Sequence, residues 1–125
     1  MSKLRQHLLW LLLLLLSALL GACSTAPIAL PLAEDMPTFL FYYTDNWPPW
    51  AQMQPIVNGL EEQYSNQIRF MSLNANVDGA ASYEALILRG HPAYVIFSAD
   101  GEELFRALGA QERDFLQQAL DDALP

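Results

Sequence analysis

Hydrophobic positions follow two regimes along the chain. After a short basic start at Lys3 and Arg5, residues 8–20 form one apolar run. From Thr38 onward the apolar residues come in short runs and helical stripes, the punctuation of a folded domain. Thr38-Phe39-Leu40-Phe41-Tyr42-Tyr43 is almost wholly apolar and aromatic, which predicts a central strand covered on both faces. Asp45-Asn46-Trp47-Pro48-Pro49 ends it, and Pro49 suits a first helical turn, where a missing N–H costs nothing. Trp50, Met53, Val57, Leu60 and Tyr64 then recur at spacings of three and four, one stripe of a helix that Pro55 should kink. Residues 68–73 read as a second strand, parallel to the first because a helix connects them. After a loop at 74–79 the pattern predicts a helix at 82–88, a strand at Ala93-Tyr94-Val95-Ile96-Phe97 and an antiparallel return over 103–108 through Asp100-Gly101. Phe115, Leu116, Ala119, Leu120 and Ala123 mark a last amphipathic helix. The predicted order is βαβαββα, an α/β fold with a mixed four-stranded sheet flanked by helices.

The first apolar run has a different purpose. Its thirteen residues fall short of the about 20 needed to span a bilayer core, and they fit the hydrophobic segment of an export signal. Leu20-Gly21-Ala22-Cys23 resembles the lipobox of bacterial lipoproteins. That resemblance implies a signal peptide over 1–22 that is removed and a Cys23 that carries lipid, palmitate included, as the first residue of the mature chain. Ser24 after it implies an outer rather than an inner membrane. Residues 24–37 hold Pro27, Pro31 and Pro37, so 23–37 is expected to be an extended tether reaching roughly 40 Å, with a short edge strand at 28–32 as the alternative. The folded domain should occupy 38–125.

Charge supports this division. The 125 residues carry 6 Lys+Arg against 14 Asp+Glu. Without Lys3 and Arg5 the remainder holds 4 basic residues and a net charge of −10. Such a chain lacks the cations that bind nucleic acid, and anionic membrane surfaces repel it, so lipid rather than charge must hold it to a membrane. The chain has one cysteine, Cys23, which rules out an internal disulfide, a four-cysteine zinc site and a CxxC redox pair. Asn74-Ala75-Asn76-Val77-Asp78-Gly79 is similar to the opening of a calcium loop, but its twelfth position is Ala85 rather than a bidentate Glu. His91 has no second His in the domain to share a metal with, and neighbouring acids such as Glu61-Glu62 are adjacent in sequence rather than set across a cleft. No phosphate-binding, dinucleotide, zinc-protease or nucleophile-elbow motif is present, and no cofactor or metal is expected.

Two strings carry a further resemblance. TFLFYYTDNWPPWAQMQPIV and LRGHPAYVIFSADGEELFRALGA are similar to the first core strand, active-site loop and kinked helix, and to the cis-proline turn, hairpin and following glycine, of the thioredoxin superfamily. The resemblance implies a minimal thioredoxin-like core over about 87 residues. It places Trp47-Pro48-Pro49-Trp50 at the positions of the family's Cys-X-X-Cys, and Phe41 where its enzymes often bury a proton-handling acid. An indole can neither attack a disulfide nor form a mixed one, so the expectation is a protein that is not an enzyme. The resemblance also implies a cis His91-Pro92 bond and a degenerate peptide-binding edge made of Trp47, Pro48, Pro49, Trp50, His91, Pro92 and Ala93, with Trp47 exposed and Trp50 more buried. The expected role is a binding or scaffolding module in the bacterial cell envelope, anchored by lipid and facing the periplasm, whose partner is an envelope protein or extended peptide. The alternative is an accessory subunit of a thiol–disulfide or cytochrome-maturation system that uses its partner's cysteines.

Overall fold

The computed structural model of the chain describes residues 2–18 and 28–125. Cys23 and the start of the expected tether lie outside the described residues. The elements are α1 (Ser2–Ala18), β1 (Thr38–Tyr43), α2 (Pro48–Tyr64), β2 (Arg69–Asn74), α3 (Ala80–Ala85), β3 (Ala93–Phe97), β4 (Glu103–Leu108) and α4 (Arg113–Ala123). Among the described residues no helix is long and apolar enough to cross a membrane.

From β1 onward the order is the expected βαβαββα, in one four-stranded sheet ordered β2-β1-β3-β4. β1 pairs parallel with β2 and antiparallel with β3, and β3 pairs antiparallel with β4. β1 and β3 are therefore the interior strands, and their residues are buried almost without exception. Because side chains alternate across a strand, each interior strand supplies both faces. Phe39 and Phe41 with Tyr94 and Ile96 point to the face covered by Met53, Val57 and Leu60 of α2 and Leu116 and Leu120 of α4. Leu40, Tyr42, Ala93, Val95 and Phe97 point to the other face, with Leu73 of β2 beside them and Ala75, Leu88 and the partly buried Tyr83 and Leu86 packed on them. Phe41 stacks on its cross-strand partner Tyr94 at 5.4 Å between ring centroids. Burying a ring of that size contributes about 1.5–3 kcal/mol.

Several boundaries differ from the periodicity. β2 begins at Arg69 and runs through Asn74, because Asn74 still pairs with Tyr43. α3 covers Ala80–Ala85 rather than 82–88: Ile87, at φ 54°, leaves the helical region and turns the chain so that Leu88 enters the second core by itself. Phe115 belongs to the exposed side of α4, 50% accessible and against Phe105 at 5.6 Å, while Leu116 takes the core position beside it. Leu104 is an extra residue in β4, where the register shifts between Ile96 and Phe97, a β-bulge at a sheet edge. Pro55 lies inside α2, which continues through it to Tyr64.

Residues 28–33 have no regular structure, so no edge strand forms there. Leu30 and Leu32 nevertheless pack against the second core, and the N–H of Ala33 donates to Thr38 Oγ1 at 2.8 Å. The last part of the expected spacer is thus seated on the domain.

The core carries polar atoms of unequal fortune. Tyr42 Oη donates to Ser82 Oγ at 2.8 Å, and Tyr64 Oη donates to Asp121 Oδ1. Tyr94 is fully buried with no hydrogen-bond partner for its hydroxyl. Burial raises the pH at which Tyr42 and Tyr94 ionise, and burial together with the Asp121 carboxylate pushes that of Tyr64 up to about 12. Below pH 10 these phenols are neutral in both the folded and the unfolded chain, so their ionisation leaves stability unchanged there; stability falls as pH climbs from 10 toward 12, where the unfolded chain ionises more readily. Ultraviolet titration should show these tyrosines ionising together with the loss of circular dichroism. Tyr94→Phe, which removes an unsatisfied hydroxyl, should stabilise the domain by about 1 kcal/mol in urea unfolding.

Candidate functional site

The loop after β1 is shaped by its own residues and then clasped by a second loop. Asn46 has φ 60°, a left-handed turn that asparagine tolerates better than most side chains. Trp47 follows in extended conformation, φ −106° and ψ 121°, as a residue preceding proline prefers. Pro48 and Pro49 then open α2, and the N–H of Trp50 donates to the Trp47 carbonyl at 3.0 Å.

The clasp comes from Asn74, at the end of β2 and 7% exposed. Its Nδ2 donates to Asp45 Oδ2 at 2.8 Å, tying the two loops together. Its own N–H donates to Asp78 Oδ1 at 2.7 Å, its Oδ1 accepts the N–H of Asn76 at 2.9 Å, and its carbonyl accepts the N–H of Gly79 at 2.8 Å. Two of the oxygens that resembled a calcium loop, Asn74 Oδ1 and Asp78 Oδ1, are therefore engaged in turn geometry. Gly79 is required because a Cβ there would meet Leu73 Cβ at 2.9 Å and the Asn74 carbonyl at 3.0 Å.

The third component is the turn before β3. The His91-Pro92 peptide is cis. The Pro92 carbonyl accepts the N–H of Gly109 at 2.7 Å, and Gly109 has φ 81°. The main-chain N–H and C=O of His91 have no hydrogen-bond partner among the described residues. Since Tyr42 pairs with Ala93, this turn and the loop after β1 share one end of the sheet. There the Trp47 and His91 rings meet edge to face, 5.8 Å between centroids at 76°.

Of the residues expected to form the edge, the structure brings Trp47 and His91 together at the surface, with Trp47 50% exposed and His91 half-buried. Pro48 is exposed and Pro49 partly so. Trp50 is half-buried and turns inward to Tyr43 at 5.4 Å, part of the first core's margin. Pro92 and Ala93 are buried, so they form the floor and offer no side chain to a ligand. Asp45, Asn74 and Gly79 as the frame of the site escaped the sequence reading, although the signal, a cluster of Asn, Asp and Gly, was visible. Among the described residues no three His, Cys, Asp or Glu side chains come together to hold a metal.

Comparison with known proteins agrees with this architecture. The chain is 33% identical over 84 residues to the chloroplastic M-type thioredoxin of Brassica napus, a match covering 64% of this chain and 46% of that protein. It is 29% identical over 84 residues to thioredoxin 1 of Synechococcus elongatus, covering 64% of this chain and 77% of that one. The fold is thioredoxin-like. No family model matches the chain. In this thioredoxin-like frame Trp47-Pro48-Pro49-Trp50 opens α2 beside the cis-proline turn, and the only cysteine of the sequence lies far upstream at position 23.

What the arrangement offers chemically is a flat indole beside a pair of free main-chain groups. The frame of the site is testable. Gly79→Ala should destabilise the domain by about 1–3 kcal/mol through overpacking, and Asn74→Ala by a similar amount through the donors and acceptors it orphans. Both should speed proteolysis within residues 44–50, read by limited digestion and mass spectrometry.

Proposed function

We propose that this chain is a redox-inactive, thioredoxin-fold binding module of the bacterial cell envelope. In this reading it is exported, anchored by lipid on Cys23, and faces the periplasm, on the outer rather than the inner membrane. Its Trp47–His91 edge holds an extended segment of an envelope protein. The observation that carries the reading is the pairing of Trp47 with His91 at the mouth of the cis-proline turn, in a chain whose one cysteine is at position 23. Thiol–disulfide exchange needs a thiolate that forms a mixed disulfide, and the loop supplies indoles and prolines instead. Phe41, buried and stacked on Tyr94, stands where a carboxylate beneath the loop would be needed to move protons.

Magnitudes set the kind of binding. An extended segment gains two main-chain hydrogen bonds at His91 worth ~1 kcal/mol each and burial of one indole face worth ~2–3 kcal/mol. Association costs at least ~4 kcal/mol in lost freedom. A short peptide is therefore held weakly, and useful occupancy comes from a broader protein contact or from confinement at the same membrane.

Three measurements test the reading. In the insulin-reduction assay with dithiothreitol, the purified domain should leave the rate at its uncatalysed value; an acceleration abolished by Trp47→Ala or Trp50→Ala would overturn the redox-inactive assignment. Metabolic labelling with palmitate should mark the wild-type chain and not Cys23→Ser. Trp47→Ala should weaken binding to a partner captured by cross-linking by about 30- to 150-fold, the equivalent of the indole contact, without changing the urea midpoint appreciably.

A further inference from the structure

The segment ahead of β1 enters the domain at a defined place. Ala33 is hydrogen-bonded to Thr38 Oγ1, and Thr38 pairs with Phe97 at the far end of β3. Leu32 reaches the β3–β4 turn, its Cδ1 3.9 Å from where a Cβ on Gly101 would stand. Leu30 and Leu32 both pack on the second core. The Trp47–His91 edge is at the opposite end of the same strands, where Tyr42 pairs with Ala93. The five residue steps from Thr38 to Tyr43 separate the two poles by about 17 Å before the loop is added.

We infer that the strap at 30–33 holds the anchored end of the chain at the pole opposite the Trp47–His91 edge, so that this edge points into the aqueous space and takes a polypeptide reaching it from there, not a membrane-embedded segment. The inference rests on the lipid-anchor reading of Cys23. With the strap seated, seven residue steps separate Cys23 from Leu30, a reach of at most about 24 Å, against the roughly 40 Å of an undocked tether. Turning the edge onto the bilayer would lift the strap pole by at least about 17 Å plus the loop and stretch the spacer close to its full reach, so the strap pole is the one held nearest the bilayer. The spacer, not charge, sets this orientation; at the strap pole charge only holds the domain off the headgroups. Glu34 and Asp35 precede β1, and Asp100 and Glu102 lie in the β3–β4 turn, all four exposed. Anionic headgroups repel them within a Debye length of about 8 Å.

The single cysteine makes this measurable, because lipid on Cys23 leaves an introduced cysteine as the one free thiol. The acylated full chain, carrying Asp100→Cys or Arg89→Cys labelled with a fluorophore, is reconstituted in phosphatidylcholine vesicles containing a lipid with a nitroxide headgroup. Quenching should be several-fold stronger at position 100 than at position 89. The double variant Leu30→Asp/Leu32→Asp, which releases the strap, should bring the two nearly level. Equal quenching in the otherwise unaltered chain, stronger quenching at 89, or a difference that survives strap release overturns the orientation while leaving the anchor intact. Failure of the chain to float with the vesicles overturns the anchor reading and the orientation with it.

Discussion

The structure depends on one strand being buried on both faces. β1 lies between β2 and β3, and its six residues alternate between two separate cores. A strand so placed has no freedom of register, since a slip of one residue would exchange the rings of Phe39 and Phe41 with Leu40 and Tyr42 across the sheet. Fixing β1 fixes where the chain emerges after Tyr43, and pairing of Tyr42 with Ala93 fixes where the turn before β3 must be. The edge formed by Trp47 and His91 is thus a consequence of strand register before it is a property of either side chain.

The polar groups around that edge are organised to hold shape. Asn74 alone satisfies main-chain groups of Asn76 and Gly79 and reaches across to Asp45. Buried and fully partnered, such a hub is costly to disturb, because each partner left unpaired loses its compensation for lost water. Beneath it Phe41 and Tyr94 fill the interior with stacked rings. The result is a hydrogen-bonded rim beside an apolar core, suited to presenting a surface.

Much of the fold was legible along the chain. The continuous apolar run of Thr38–Tyr43, the stripe from Met53 to Tyr64, and Asp-Gly between two strand-like runs each encode local structure in a short window, and each formed as its pattern implied. Misplacements came where a neighbour distant in sequence overrode the window. Pairing with Tyr43 extended β2 through Asn74. The turn at Ile87 shortened α3, and packing on Phe105 drew Phe115 away from the core. The site was half legible: Trp47 and His91 stood out by residue type, whereas the frame of Asp45, Asn74 and Gly79 reads as ordinary turn chemistry until the two loops are seen together.

The sequence by itself determined the element order, the strongly acidic balance and the confinement of sulfur chemistry to methionines and one cysteine at position 23. These follow from composition and from periodicities spanning a few residues, which any conformation of the chain must respect. Tertiary structure decided which of Pro92, Ala93 and Trp50 reach the surface, that Asn74 spends its oxygens on its own turn, and that Leu30 and Leu32 fasten the expected spacer to the second core. The reason is physical: burial and contact are properties of pairs brought together by sheet register, and register is settled only when both cores pack at once.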